Sequence, residues 1–138
     1  MKKVINILII ENDDRIAEVL KEFCLKAYSA GSLTVNVTIS SHVSTSKRLL
    51  KNNTYEAIMW NIYLNDGASY SLFEAFKIKK PVILLFREEG NLETLLDYGL
   101  TSSEVPILLL KKGHKETEDG KTMVKILIDR ACEQMASK

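Results

Sequence analysis

Runs of apolar residues alternate along the chain with segments in which apolar residues recur every three or four positions. Such runs are typical of buried β-strands, and the longer spacing is typical of amphipathic helices. The predicted strands are residues 4–10, 33–39, 57–60, 82–86 and 105–110. The first strand is almost continuously apolar, which predicts burial on both faces, whereas the second alternates apolar and polar residues and is predicted to lie nearer a sheet edge.

A segment with helical spacing follows each strand. The predicted helices cover about residues 14–27, 41–53, 69–76, 91–98 and 121–135, and residues 114–120 are predicted to form a loop. Regular alternation of this kind predicts an α/β fold, a doubly wound five-stranded parallel sheet with helices on both faces, because parallel strands need crossover connections. In such flavodoxin-like sheets the functional residues lie beyond the carboxyl ends of the strands.

The composition fits one ordinary globular domain spanning residues 1–138. Lys plus Arg number 19 against 18 Asp plus Glu, which gives a net charge of +1 and disfavours a dedicated role in binding nucleic acid or a membrane surface. Cys24 and Cys132 have no nearby Cys or His partner, so we expect buried thiols in a reducing compartment. No signal segment or membrane span is recognisable, and we expect a cytoplasmic protein.

The loop after the first strand is acidic. Glu11, Asp13 and Asp14 would repel the phosphate of a nucleotide or flavin, which argues against a flavodoxin-like cofactor binder. Asp13 or Asp14 is also suited to cap the following helix. Asp66 lies in an Asn-Asp-Gly turn, where such residues serve the backbone geometry. His42 and His114 lack any spaced ligand or nucleophile, and we expect both at the surface.

The order of the strand-end residues resembles the receiver domain of two-component response regulators (CheY-like). The resemblance extends from Val4 to about Met135. It rests on residues 7–13 (ILIIEND), 55–61 (YEAIMWN) with Asn65-Asp66-Gly67 downstream, 81–86 (PVILLF) and 108–111 (LLLK). Receiver domains hold a divalent metal on an acidic pair after the first strand. An aspartate that accepts a phosphoryl group ends their third strand, a Ser or Thr ends the fourth and a Lys ends the fifth.

The resemblance matches these positions to Glu11 and Asn12, Asn61, Phe86 and Lys111. Three of the five lack the expected group. The amide of Asn61 has neither the charge nor the nucleophilicity to form an acyl phosphate. With Glu11 the single carboxylate at the matched positions, Mg²⁺ binding should be weak at best, and no other cofactor is expected. Asn61 can also be interpreted as a strand-end cap, and Lys111 as a solvated strand end or the partner of Glu11 in an ion pair.

The resemblance therefore implies an atypical receiver or pseudo-receiver domain, not an enzyme, which signals through protein contacts independently of aspartyl phosphorylation. Receiver domains commonly bind partners or a second copy through the fourth helix, fifth strand and fifth helix, here about residues 91–135. The alternative is a phosphoryl-accepting receiver that uses a displaced carboxylate, Asp66 or Asp13, with Mg²⁺. Nothing after the last predicted helix resembles an output domain.

Overall fold

The computed structural model describes residues 3–27, 33–61, 63–69, 72, 82–85, 107–110 and 118–136. The described strands are β1 (Lys3–Ile10), β2 (Leu33–Ser40), β3 (Ala57–Trp60), β4 (Tyr63–Leu64), β5 (Gly67–Ala68), β6 (Val82–Leu85) and β7 (Ile107–Leu110). The described helices are α1 (Asp14–Ala27), α2 (Val43–Asn52) and α3 (Glu118–Ala136). Strands β4 and β5 form a separate two-stranded antiparallel hairpin.

The remaining strands form one parallel sheet in the order β2-β1-β3-β6-β7. The predicted α/β class and five-stranded parallel sheet are thereby confirmed, as is the position of the second strand at an edge. The chain moves outward from β1 to β2 and then returns past β1 to β3. The strand order therefore reverses between β1 and β3, which is the position where doubly wound proteins place their functional residues.

One face of the sheet packs against α1 and α3. Ile5, Ile7 and Ile9 of β1 point to this face and are completely buried there. The residues that cover them are Ala17, Leu20 and Cys24 of α1 and Val124, Leu127, Ile128 and Ala131 of α3. Complete burial of each large aliphatic side chain contributes about 1.5–3 kcal/mol, so this layer is a main source of stability.

The other face is covered as well. Leu8, Ile10 and Trp60, whose side chains alternate with those of the first face, are also fully buried. Ser40 pairs with Ile10 in the sheet, and its hydroxyl lies 2.8 Å from the hydroxyl of Ser46 in α2. Helix α2 therefore lies on the face opposite α1 and α3, which confirms the prediction of helices on both faces.

Two local predictions were wrong. Helix α3 begins at Glu118, so residues 118–120 are helical instead of belonging to a loop. Residues 118–120 are not apolar, so the spacing of apolar residues did not reveal that the helix begins there. Acidic residues are nevertheless suited to a first helical turn, because they interact favourably with the helix dipole. Val4 is 43% exposed, so β1 is not buried on both faces along its whole length.

Several predictions fall outside the described residues. These are residues 73–76 and 91–98 of the predicted helices, residues 114–117 of the predicted loop, and Phe86, Lys111 and His114. Within the described ranges, no helix has the length and apolar character needed to cross a membrane.

Candidate functional site

Glu11 and Asn61 lie side by side at the carboxyl ends of β1 and β3. The backbone N–H of Glu11 donates to the carbonyl of Ser40 at 2.9 Å, and that of Asn61 donates to the carbonyl of Ile10 at 2.7 Å. These bonds continue the sheet ladder one residue beyond each strand. Both side chains are almost completely buried, Glu11 being 1% exposed and Asn61 3%. The backbone therefore fixes the distance between a carboxylate and an amide in a site with little access to water.

The Asn61 side chain links both residues of the matched acidic pair. Its Nδ2 donates to Glu11 Oε1 at 3.0 Å and to Asn12 Oδ1 at 2.9 Å. The backbone N–H of Asp13 also donates to Glu11 Oε1, at 3.3 Å. Two acceptors facing Nδ2 set the orientation of the amide, since the reversed amide would place its oxygen against a carboxylate oxygen. Three of the five site residues matched in the sequence are thus in contact.

The two other matched residues, Phe86 and Lys111, lie outside the described residues, each directly following a described strand end in the chain. The ion pair suggested between Glu11 and Lys111 consequently stays a prediction. Among the residues described, no group of three or more His, Cys, Asp or Glu side chains is placed to hold a metal ion. At the contact itself Glu11 supplies a carboxylate, whereas Asn12 and Asn61 supply neutral amides, a poor ligand set for Mg²⁺.

Asp13 caps helix α1. Its Oδ1 accepts hydrogen bonds from the backbone N–H groups of Arg15, at 3.0 Å, and Ile16, at 3.2 Å. These are donors that the first helical turn leaves without an intrahelical partner. The capping interpretation of Asp13 is therefore confirmed.

Asp66 caps helix α2 across the tertiary structure. Its two carboxylate oxygens accept from the backbone N–H groups of Val43, at 2.6 Å, and Ser44, at 3.2 Å. The hydrogen bond from Val43, followed by that from Ser44, lowers the pKa of Asp66 despite an opposing effect of desolvation. His42, the residue at the N-cap position, provides no side-chain cap. The sequence pattern predicted only a turn at Asp66, and the poor capping residue at His42 was the available signal for this cap.

Asp66 reaches α2 because it lies at the tip of the β4–β5 hairpin. Gly67 has a φ of 133°, a backbone conformation that favours glycine, so the predicted Asn-Asp-Gly turn is confirmed. The backbone N–H of Asn65 approaches the carbonyl of Ser41 at 3.5 Å, beside the start of α2. After the hairpin, Ser69 Oγ accepts from the indole Nε1 of Trp60 at 2.7 Å, with both side chains buried. The segment after Asn61 is therefore joined both to α2 and to the end of β3.

The thiols differ in their surroundings. Cys24 is buried in the core, and desolvation raises its pKa to about 12. Cys132 is only half-buried, although burial also raises its pKa. The expectation of a buried thiol is thus confirmed for Cys24 and holds only in part for Cys132. His42 is exposed, as predicted, and its Nδ1 lies 2.9 Å from Ser41 Oγ.

Comparison with known proteins found similarity at the level of structure. No protein-family profile matches the chain, and no curated protein matches it by sequence. A signal receiver domain from Vibrio parahaemolyticus superposes with a TM-score of 0.72 at 14% identity, covering 99% of this chain and 98% of its own. A two-component response regulator from Clostridium difficile gives 0.68 at 21% identity, covering 91% and 97%.

A third match is the receiver domain of a sensor histidine kinase from Pseudomonas aeruginosa, with a magnesium ion coordinated in its active-site cleft. Its TM-score is 0.64 at 19% identity, and the match covers 92% of this chain and 99% of that one. At these identities the comparisons show the fold alone. The chain has the flavodoxin-like fold of CheY-like receiver domains, which many of the matched structures share.

Proposed function

We propose that this chain is an atypical receiver domain in signal transduction that acts through protein contacts and accepts no phosphoryl group at Asn61. The observation that carries the proposal is the contact of the Asn61 amide with Glu11 and Asn12, at 3.0 and 2.9 Å, where the strand order reverses. An amide stands here at the position that the receiver resemblance matches to the phosphoryl acceptor.

The chemistry of the amide supports this proposal. An acyl phosphate forms when a carboxylate oxygen attacks phosphorus, and a carboxamide oxygen is a far weaker nucleophile. The Glu11 oxygen nearest Asn61 already accepts hydrogen bonds from the Asn61 amide and from the backbone N–H of Asp13. Two N–H donors thus satisfy a carboxylate that would otherwise favour a cation. These two hydrogen bonds support a site that needs no metal ion.

The two carboxylates that are the alternative candidates for accepting a phosphoryl group already cap helices. Asp13 caps α1 and Asp66 caps α2, each through two backbone N–H groups. A phosphoryl group on either carboxylate would take away the carboxylate charge from the oxygen atoms that accept these hydrogen bonds and would disturb the cap. The structure therefore gives no specific support to a displaced acceptor, and we retain the phosphorylation-independent mode.

The partner surface that we propose is the face formed by residues 91–135. Its described parts are β7 and residues 118–135 of helix α3, and the exposed charged side chains of that helix include Glu118, Lys121, Lys125, Asp129 and Glu133. Reversing the charge of Lys125 together with Asp129 should weaken self-association measured by sedimentation equilibrium if the partner is a second copy. Unchanged association in these variants and in other exposed variants across the face would contradict this assignment.

Exposure to a small phosphoryl donor tests the phosphorylation-independent mode directly. The full chain would be incubated with acetyl phosphate, or with beryllofluoride, in the presence of Mg²⁺. We expect no adduct in the intact mass and no change in Trp60 fluorescence. Asn61→Asp is the matched variant, since it restores a carboxylate at the same position.

A base-labile adduct on the wild-type chain would contradict the proposal. Its location would then decide between explanations, because Asp66→Asn and Asp13→Asn each remove one alternative acceptor. Loss of the adduct in one of these variants would identify a displaced carboxylate as the acceptor.

A further inference from the structure

The charged residues that helix α2 presents to solvent are all basic. Its sequence, VSTSKRLLKN, contains three cationic residues and no acidic residue. Lys47, Arg48 and Lys51 are all exposed, and their spacing places them on one side of the helix within one turn. We call these three residues the basic stripe.

The other two described helices, α1 and α3, carry acidic and basic side chains mixed together. In α1, cationic and acidic residues are interspersed, and Lys26 Nζ lies 3.3 Å from Glu22 Oε2 one turn earlier. Exposed lysines and acidic residues are likewise mixed along α3. Within the part of the chain that the structure describes, no carboxylate forms an ion pair with Lys47, Arg48 or Lys51. Among the described residues, the basic stripe is therefore a cluster of cations without an ion pair, on a protein whose net charge is only +1.

This arrangement works against the stability of α2. Lys47 and Lys51 are one turn apart, and like charges at this spacing repel each other. The helix has ten residues, a length at which an isolated helix is only marginally stable in water. Its stability must come from tertiary contacts, and the basic stripe contributes nothing to them.

Those tertiary contacts hold α2 firmly at its amino-terminal end. Ser46 is buried, and its hydroxyl lies 2.8 Å from the Ser40 hydroxyl and donates to the carbonyl of His42 at 2.8 Å. Asp66 caps the first turn through Val43 and Ser44. A helix anchored in this way holds the backbone of the three cationic residues in place, so less backbone entropy is lost when a partner binds.

We propose that the basic stripe is a docking surface for a carboxylate-rich segment of a partner protein. Charge complementarity identifies the chemistry, since three adjacent cations that form no ion pair with a described carboxylate attract clustered carboxylates. Duplex nucleic acid is a poorer fit, because strong binding to it requires many more phosphate contacts than three cations supply. This surface is separate from the face of residues 91–135 and does not depend on whether Asn61 can be modified.

The test uses the full chain and a fluorescein-labelled peptide of alternating Glu and Ala blocks as the acidic probe. Fluorescence anisotropy should show binding at low ionic strength that weakens as salt is added. The double variant Lys47→Glu with Arg48→Glu should raise the dissociation constant by about tenfold or more. The control, Lys3→Glu with Lys26→Glu, makes the same charge change at exposed positions of β1 and α1, outside both proposed surfaces, and should alter it by less than about twofold.

A second pair of variants separates charge from folding. Arg48→Gln and Lys51→Gln each remove one of the three cations of the basic stripe without introducing an acid, and each should weaken binding while leaving the circular dichroism spectrum unchanged. Three results would overturn the proposal: no binding of the peptide at low salt, equal loss from the α2 double variant and the control, or tighter binding of a duplex oligonucleotide than of the peptide. Equal losses would show that the peptide responds only to net charge.

Discussion

The carboxylate of Asp66 accepts a hydrogen bond from the backbone N–H of Val43 at 2.6 Å, although 23 positions separate the two residues in the chain. The contact joins the tip of the β4–β5 hairpin to the first turn of α2. The same hairpin follows Asn61 closely in the chain, and Asn61 contacts Glu11 beyond the end of β1. The amino-terminal end of α2 is therefore connected to the candidate site through one short segment.

Removing this cap should destabilise α2. Asp66→Ala removes both acceptor oxygens, whereas Asp66→Asn keeps one of them but loses the charge that favours a helix N-terminus. We expect the melting temperature to fall in the order wild type, Asp66→Asn, Asp66→Ala. Differential scanning calorimetry would measure it, with Asp129→Asn as the control for loss of an exposed acidic residue. Identical melting temperatures for wild type and Asp66→Ala would contradict the capping role.

The cap should also make stability depend on pH in a defined direction. The pKa of Asp66 in the folded state is lowered from its ordinary value of 3.8. The folded protein therefore favours the ionised carboxylate, whose stabilisation is complete above the unfolded pKa and is lost as the pH falls through the folded pKa. Urea unfolding should show a difference between wild type and Asp66→Asn that is constant from about pH 6 to 8 and shrinks below about pH 4. A difference that grows at low pH would contradict this sign.

Asn61→Asp should convert a site that we propose to be metal-independent into one that responds to Mg²⁺. In the wild type, Asn61 Nδ2 donates to Glu11 Oε1 at 3.0 Å. The substitution replaces this donor with a carboxylate oxygen that faces the same Glu11 oxygen. Loss of a hydrogen bond to a charged group costs about 1.5–3 kcal/mol, and repulsion between the carboxylates adds to this. We expect a lower free energy of unfolding without Mg²⁺ and a partial recovery in its presence.

Two measurements make the Asn61 prediction specific. Mg²⁺ should raise the melting temperature of Asn61→Asp much more than that of the wild type, because only the variant has two carboxylates to share the ion. Adding Glu11→Gln to the variant should relieve the repulsion and abolish the response to Mg²⁺. A wild-type chain that is stabilised equally by Mg²⁺ would refute the proposed metal independence of the site.

The proximity of Asn61 to Glu11 could be predicted from the sequence, whereas the cap that Asp66 forms on helix α2 could not. Apolar runs predicted the parallel strands, and the rule that function lies at their carboxyl ends directed attention to Glu11 and Asn61. Their proximity then follows from the pairing of β1 with β3. The cap on Val43 depends on how a hairpin of two-residue strands folds against a distant helix, and no local propensity encodes that geometry. The exposure of Val4 likewise depends on what covers the sheet and not on strand propensity.

Ser69→Ala should lower the free energy of unfolding, because it removes the acceptor of the hydrogen bond from Trp60. The indole Nε1 donates to Ser69 Oγ at 2.7 Å with both side chains buried, so the substitution removes an acceptor from a group with no access to bulk water. Loss of such a partner costs about 1–3 kcal/mol. Equilibrium unfolding in urea would measure it, and Trp60 fluorescence would report a local change. Ser69→Thr retains the hydroxyl and is the control; an equal loss in that variant would point to crowding instead of the hydrogen bond.

Cys24 should resist thiol reagents as long as the protein is folded. Its pKa is raised to about 12 by burial in the core, and the thiolate is the reactive form, so it reacts extremely slowly at pH 8. With Ellman's reagent we expect the half-buried Cys132 to react first and Cys24 only at a rate set by unfolding. Cys132→Ser isolates the Cys24 reaction, and adding urea should accelerate it in parallel with the unfolded fraction. Rapid labelling of Cys24 in Cys132→Ser, unaffected by low urea concentrations, would show that the core between α1 and the sheet opens without global unfolding.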